Sequence, residues 1–301
     1  MLARLLRQAI ALQFAIGLVL SFALQRSLHW SPWTIAPMVA ALYLSGTFIT
    51  VAYTAWCSHS GESLGLTLRA LVGEFLATLT IFLLRQPWAV ERPKLLKSLA
   101  GAPGLPVILV HGYMCNHRVW DSVVPSLRAN GHDVYAIDLE PIFSPIDNYA
   151  ASIDLAVRNA LEAHGSNQVI LVGHSMGGLA ARAYLRTFGK ASVARLITLG
   201  SPHQGTALAR HAFSPDARQM RWKSSWLQQL HDEEAKNLKD LLIIAITPQD
   251  NIVFPQRQQI VPGAGAFMFS GIGHLQMCLN RHVIEWLVAQ CGQHRLHSSE
   301  A

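Results

Sequence analysis

Charge is scarce in this 301-residue chain: Asp, Glu, Lys and Arg make up only 14% of it, against about 25% in ordinary soluble domains. Apolar residues reach 51%, which excludes a disordered or low-complexity protein and requires a place for the excess. Cysteine is sparse too. Cys57, Cys115, Cys278 and Cys291 form no C-x-x-C pair and no metal-ligand spacing, so neither a disulfide framework nor a metal site is expected. Cys278 and Cys291 are expected on one closing helix, where thirteen residues of about 1.5 Å rise hold them roughly 20 Å apart, beyond disulfide reach. The net charge of +6 comes without any run of five to eight basic residues. An anionic membrane surface fits that balance better than nucleic acid, and no nucleic-acid partner is expected. The chain carries no signal for an oligomeric state.

What the sequence does have is long charge-free runs. Eighteen residues separate Arg7 from Arg26, and thirty-five separate Arg26 from Glu62. A membrane-spanning helix needs about 20 mostly apolar residues, so the first run just reaches that length and the second exceeds it. Trp30, Trp33, Tyr53 and Trp56 lie near the ends of the second run, as an interfacial aromatic belt would. A third apolar stretch, 64–84, carries Arg69 and Glu74. It either crosses with its charges buried in a bundle or lies at the interface, since intramembrane charges are costly. Two competing readings are a cleaved signal peptide for the first run and a buried helical hairpin for both. The poor small-residue site around Ser21 and Ala23 and the second long run that follows at once favour an anchor.

These features divide the chain into a membrane region, 1–85, with two to three apolar helices, a Pro/Gly-bearing linker, 86–105, a catalytic domain, 106–292, and a tail, 293–301. Arg4 and Arg7 favour a cytoplasmic N-terminus. Two crossings would return the rest of the chain to the cytoplasm, as the cluster Arg85, Arg92, Lys94 and Lys97 also suggests; three would export it. The side of the catalytic domain stays open.

From residue 106 onward apolar β-rich runs alternate with helical patterns. Strands are expected at 107–112, 133–139, 168–175, 194–201, 241–248 and 265–271. Helices are expected at 118–130, from a cap at Asp147 to 164, after Ser175, and at 275–290. Near-continuous apolar strands joined by helices specify an α/β fold: a mostly parallel sheet of about six strands, with helices on both faces. Residues 206–240 are longer than a crossover needs. Trp222, Trp226 and Leu230 fall there at i, i+4 and i+8, one face of an amphipathic helix. They are read as a cap whose apolar residues face substrate.

Gly173-His174-Ser175-Met176-Gly177 is G-x-S-x-G set between an apolar strand and a helix. A chain turning that sharply places Ser175 at the apex, and the glycines at 173 and 177 remove the side chains that would collide. A serine hydroxyl needs a base to take its proton. Asp250 and His274 each follow a strand's carboxyl end, where open α/β sheets place their sites. Asp250 is therefore read as the orienting acid and His274 as the base, with Asp138 and Asp240 as rival acids. For a tetrahedral oxyanion the expected donors are the backbone N–H groups of Met176 and of Tyr113, the latter on a loop that Gly112 lets run close to substrate.

At these residues the chain resembles the α/β-hydrolase superfamily, and within it bacterial lipases and esterases. VILVHGYMCN is similar to their oxyanion strand and loop, VGHSMGG to their nucleophile elbow, and ITLGSPHQGT to the strand and loop that follow. LEPIFSPIDNYA, QDNIVFP and GIGHLQM resemble the segment after the second strand and the acid and histidine loops. The resemblance covers roughly 106–291 and implies a serine hydrolase of carboxylic esters acting through an acyl-enzyme, with no cofactor and no metal. Joined to the apolar region, which lies outside the resemblance, it implies a membrane-anchored lipase or esterase acting on a lipid-like ester, expected at a bacterial inner membrane. The alternatives are an acyltransferase or thioesterase using the same residues, or an inactive membrane-anchored relative.

Overall fold

The computed structural model describes residues 1–29, 31–91, 93–100, 104–233 and 238–292. Trp30, Arg92 and the expected tail at 293–301 lie outside the described residues. Six strands, β1 (Gly104–Val110), β2 (His132–Ile137), β3 (Val169–His174), β4 (Val193–Leu199), β5 (Leu242–Ile246) and β6 (Gly265–Met268), form one sheet in the order β2-β1-β3-β4-β5-β6. Every pairing is parallel. The sheet is that of the α/β-hydrolase fold.

The two-residue period of a strand explains how so apolar a sheet is used. Ile108 and Val110 of β1, Leu171 of β3 and Ile244 of β5 enter one core. Their neighbours Val107, Leu109, Ile170, Val172 and Ala245 enter a second core on the other face. The first core is closed by α5 (Tyr149–His164) and α6 (Met176–Phe188), the helices that follow β2 and β3. The short α4 (Val124–Ala129) before β2 packs on the opposite face. Between β4 and β5 come α7 (Pro215–Gln219), α8 (Ser225–Glu233) and α9 (Leu238–Leu241), and α10 (Arg281–Gly292) ends the described fold.

Three expectations are corrected here. Asp147 does not cap α5, which begins at Tyr149 with no side-chain cap. Its carboxylate instead accepts hydrogen bonds from Arg186, from Gln219 Nε2 at 2.9 Å and from Trp226 Nε1 at 2.8 Å, tying α6, α7 and α8 together. Cys278 and Cys291 do not share a helix: Cys278 ends a 3₁₀ turn at Leu275–Cys278, and α10 starts afresh at Arg281. Trp222 precedes α8, so only Trp226 and Leu230 of the proposed stripe are helical.

The N-terminal region forms α1 (Leu2–Leu28), α2 (Ile35–Ser58) and α3 (Leu64–Leu79), the last continuing through a π-helical turn and a 3₁₀ turn to Trp88. All three runs are long and apolar enough to cross a membrane. α1 packs on α2 and α2 on α3. Gly17 of α1 lies so near α2 that an added methyl would sit 3.3 Å from Val39. Much of the outer surface stays apolar and open to the surroundings, including Val19, Ile49, Trp56 and Trp33, the last 89% exposed. α3 has two unlike faces. Leu64, Leu68, Val72 and Leu76 are exposed, whereas Ala70, Glu74 and Ala77 are buried. Ile81, just beyond, joins the second core. Described residues of the segment 86–105 are packed on the fold: Gln86 and Pro87 are buried, and Leu96 pairs with Val134 of β2 through two backbone bonds of 2.8 and 2.9 Å.

Leu171, fully buried in β3, is expected to cost about 2–5 kcal/mol when cut to Ala. Leu155→Ala, at an exposed position of α5, should stay within about 0.5 kcal/mol. Thermal unfolding of both variants in detergent micelles checks the contrast.

Candidate active site

β3 lies in the middle of the sheet, between β1 and β4, and its carboxyl end carries Ser175 into α6. Ser175 sits at φ 54°, ψ −128°, a region that costs a non-glycine residue of order 1–3 kcal/mol and persists only where the surroundings impose it. They do so by crowding. A methyl on Gly177 would lie 2.1 Å from Val110 O, and one on Gly173 would lie 2.4 Å from Gly178 N. Strand, turn and helix can meet so closely only with glycine at both places. The turn is closed by Ser175 N–H donating to Leu199 O at 2.9 Å and Gly178 N–H to Ser175 O at 3.0 Å.

Asp250 and His274 meet beyond β5 and β6. His274 Nδ1 is 2.8 Å from Asp250 Oδ2, and both side chains are buried. The other carboxylate oxygen, Oδ1, accepts the N–H groups of Ile252 at 2.9 Å and Val253 at 2.8 Å. Asp250 is thereby fixed in direction, the arrangement that keeps the Nδ1 proton on His274 and leaves Nε2 as the acceptor. Burial alone would push the His274 pKa down, but the Asp250 charge and hydrogen bond outweigh it and raise the value above 6.5. His174, next to Ser175 in the chain, packs its ring 4.7 Å from that of His274, with its Nε2 3.1 Å from the His274 carbonyl oxygen. Burial, then the neighbouring His274 charge, hold His174 well below its usual pKa.

The loop after β1 is aimed by a second histidine. His111 Nε2 accepts the Leu139 N–H at 2.9 Å, so its proton is on Nδ1, which donates to Gly112 O at 2.9 Å. With that carbonyl turned toward His111, the N–H of the same peptide, that of Tyr113, points the opposite way. Gly112 lies against Ser175: a methyl there would meet Ser175 Cβ at 2.8 Å. Met176 opens α6, and its N–H belongs to the helix's first turn, whose amides lack intrahelical partners. A cavity of about 10 Å³ is lined by Gly112, Tyr113, Met176, Phe143, Tyr149 and Asp216 among others. Both residues expected to supply the backbone donors, Tyr113 and Met176, thus line one space.

The rival acids have other places. Asp138 binds His117, accepting its backbone N–H at 2.7 Å and facing its Nδ1 at 3.0 Å. Burial would raise the Asp138 pKa, but the His117 contacts prevail and lower it. Asp240 is exposed on α9. The expected substrate face of the cap is not at the site. Leu230 is fully buried in the first core, Trp226 bonds to Asp147, and none of Trp222, Trp226 and Leu230 lines the cavity beside Met176. The roof comes instead from Phe143, whose ring lies 5.7 Å from that of Tyr113, and from Asp216 of α7. A two-helix periodicity marks what packs, and in α8 the packed face turned out to be the core-facing one.

Sequence reasoning also missed the polar bonds by which the N-terminal helices grip the loops. Thr54 of α2 accepts from Asn251 Nδ2 at 3.0 Å. Ser58 O accepts from Gln256 Nε2, which also donates to Asp250 O. Gln86 Oε1 accepts the Asn116 N–H at 2.6 Å, and Glu74 accepts two amides just after His274. Only Glu74 gave a signal in the sequence, as a lone carboxylate in an apolar stretch.

Residues 106–247 match the family model described as alpha/beta hydrolase fold, and over that stretch the chain is similar to lipases and esterases. It is 33% identical to a triacylglycerol lipase of Pseudarthrobacter phenanthrenivorans over 112 residues, 35% of this chain and 35% of that one. A triacylglycerol lipase of Burkholderia plantarii matches equally well, over 35% of this chain and 31% of its own. Lysosomal thioesterase PPT2-B of Xenopus laevis is 30% identical over 109 residues, 33% of this chain and 36% of its own. The matched stretch spans about a third of each of these relatives. Among solved structures, a Bacillus licheniformis lipase in its mature form shares the fold. Its TM-score is 0.56 at 19% identity, covering 64% of this chain and 95% of the lipase.

Gly177→Ala is expected to lower thermal stability by several kcal/mol or to prevent recovery of folded protein, since the methyl meets backbone rather than a movable side chain. Gly46→Ala, in α2 with nothing within 4 Å, should be neutral or stabilise by up to about 1 kcal/mol. Melting curves of the two variants in one detergent decide it.

Proposed function

We propose that this chain is a membrane-anchored serine hydrolase of carboxylic esters, of the lipase/esterase kind, with Ser175, His274 and Asp250 as its catalytic residues. The observation that carries the reading is the Asp250–His274 pair at 2.8 Å, joined to a serine held at φ 54° on a strand-to-helix turn. Buried polar groups arranged at such cost are hard to explain by packing alone.

Ser175 Oγ attacks the ester carbonyl as His274 Nε2 takes its proton. The carbonyl π electrons move to oxygen, which the Tyr113 and Met176 N–H groups receive. Collapse of that intermediate expels the alkoxide, which takes the proton from His274, and leaves an acyl group on Ser175. A water repeats the sequence, giving up its proton to His274, forming the acid and restoring Ser175–OH. Asp250 stabilises the imidazolium in both halves without taking a proton. The three apolar helices support a membrane location and a lipid-like substrate, and an inner membrane fits them. No step calls for a metal or cofactor.

A thioesterase reading has one observation of its own, the similarity to the frog thioesterase named above. It uses the same residues and the same acyl-enzyme, with a thiol in place of the alcohol as leaving group. Passing the acyl group to an alcohol or amine acceptor would make the same intermediate serve an acyltransferase.

Full-length protein in detergent should hydrolyse p-nitrophenyl esters, with rates rising toward long acyl chains, and Ser175→Ala should lose roughly 10⁴-fold or more in kcat. Activity retained in the variant would overturn the assignment of Ser175. Acyl-CoA thioesters split faster than oxygen esters would move the reading to thioesterase, and acyl transfer to an added alcohol in place of free acid would move it to transferase.

His274 must be neutral to accept the serine proton, and its pKa is raised above 6.5. The acid limb of kcat/KM is therefore expected above pH 6.5, activity falling as the pH drops through it. Asp250→Asn removes the largest cause of that rise, so the limb should move to lower pH while kcat falls about 10⁴-fold. An unmoved limb would count against this pair.

A further inference from the structure

We propose that Glu74, on the third apolar helix, is a positioning residue for His274, so that the hydrolytic reaction runs at full rate only with that helix docked on the catalytic domain. This rests on the hydrolase reading above and goes beyond it, because it places part of the apolar N-terminal region in the machinery that holds the base.

Glu74 is 2% exposed on a mostly apolar helix whose other polar residues are Thr67, Arg69 and Thr78. A carboxylate so placed is costly unless every lone pair has work. Both oxygens are used on the same short turn. Oε1 accepts the Leu275 N–H and Oε2 the Gln276 N–H, each at 3.0 Å. Those are the first two amides of the 3₁₀ turn Leu275–Cys278, whose N-cap is His274 itself. The carboxylate therefore grips the backbone directly behind the base, through two charge-assisted bonds that fix its direction as well as its distance.

The sequence makes room for this contact on both sides. A methyl on Gly273 would lie 2.5 Å from Glu74 Oε2 and 2.6 Å from its Cβ. A methyl on Gly73 would lie 2.3 Å from the amide atoms of Gln276. Gln276 in turn accepts the Gly273 N–H through Oε1 at 3.0 Å, closing the turn around the carboxylate. The neighbouring helix adds a parallel link: Asn251 Oδ1 accepts the His274 N–H at 3.4 Å while its Nδ2 donates to Thr54 of α2.

The charge acts as well as the geometry. Around His274 stand Asp250 at Nδ1, Glu74 behind the backbone, and His174 ring to ring. Cys278 and Arg85 lie farther out, within electrostatic reach of Glu74's surroundings, the Cys278 thiol pushed well up by burial. Of these, Asp250, in direct contact, does most to favour the imidazolium form, and Glu74 adds to it when ionised. That is the form His274 takes when it accepts the serine proton.

The test uses full-length protein in detergent with a short soluble p-nitrophenyl ester, alongside labelling of Ser175 by a fluorophosphonate probe across pH. Glu74→Gln keeps the shape, loses the charge, and retains an acceptor for only one of the two amides. Its kcat should fall between about 10- and 100-fold with KM unchanged, and the acid limb should move to lower pH in both hydrolysis and labelling. Glu74→Asp keeps the charge and loses the reach, so its kcat should fall too, with the limb staying nearer wild type. If the Gln variant is not recovered folded, the Asp variant carries the test alone, and wild-type kcat in it overturns the proposal. A helix anchor with no role in positioning would show lowered thermal stability with kcat and acid limb unchanged in Glu74→Gln; that outcome overturns the proposal and leaves the hydrolase reading standing. Wild type that neither hydrolyses nor labels at Ser175 overturns both.

Discussion

The site depends on how closely three pieces of backbone can approach. At the carboxyl end of the sheet, β1, β3 and the start of α6 meet with no space for a Cβ at Gly173 or Gly177. That crowding forces Ser175 into a conformation it would otherwise avoid and lifts its hydroxyl clear of the sheet. The remaining residues of the proposed site are arranged around it by topology. β1, next to β3, brings the Gly112–Tyr113 peptide, and the loops after β5 and β6 bring Asp250 and His274. A parallel sheet delivers all these loops to one edge because every strand ends on the same side.

The three apolar helices are bonded to this edge rather than hung from it. Gln86 holds the loop after β1 through Asn116, Thr54 and Ser58 hold the acid loop through Asn251 and Gln256, and Glu74 holds the histidine turn. Each bond pairs a buried polar group of one part with one of the other. Separation would leave several of them without partners, each at a cost of about 1–3 kcal/mol. The apolar region and the hydrolase fold are therefore bonded together at this edge of the sheet, even though the family resemblance stops at the hydrolase.

The fold was legible because its signals are local. Strands of Val, Ile and Leu, a glycine-flanked serine, and polar residues directly after strands can each be read within a window of ten residues. So could the apolar helices. The errors share a different character. Asp147 stands where a helix cap would, but it is drawn to Arg186, Gln219 and Trp226, partners 39 to 79 residues away. The Trp226–Leu230 stripe was read correctly as apolar and wrongly as facing substrate, because periodicity gives a face and not what covers it. Leu275–Cys278 and α10 looked like one helix because the break at Leu279 and Asn280 contains neither Gly nor Pro. Glu74 and Gln86 contact residues 201 and 30 positions away, and nothing in their own neighbourhood encodes that.

The roof over the oxyanion loop has a thermodynamic consequence. Ser175 is 7% exposed, and the cavity beneath Phe143 and Asp216, at about 10 Å³, is at the lower limit for a single water molecule. No acyl chain fits in that space as it stands, so acyl binding there, on the proposed reading, would require its lining to move. Apparent affinity is then the intrinsic affinity scaled by the open fraction: an open population of about 1% weakens it roughly a hundredfold. A contact made on the half-buried Phe143 would act on that fraction without touching Ser175, His274 or Asp250.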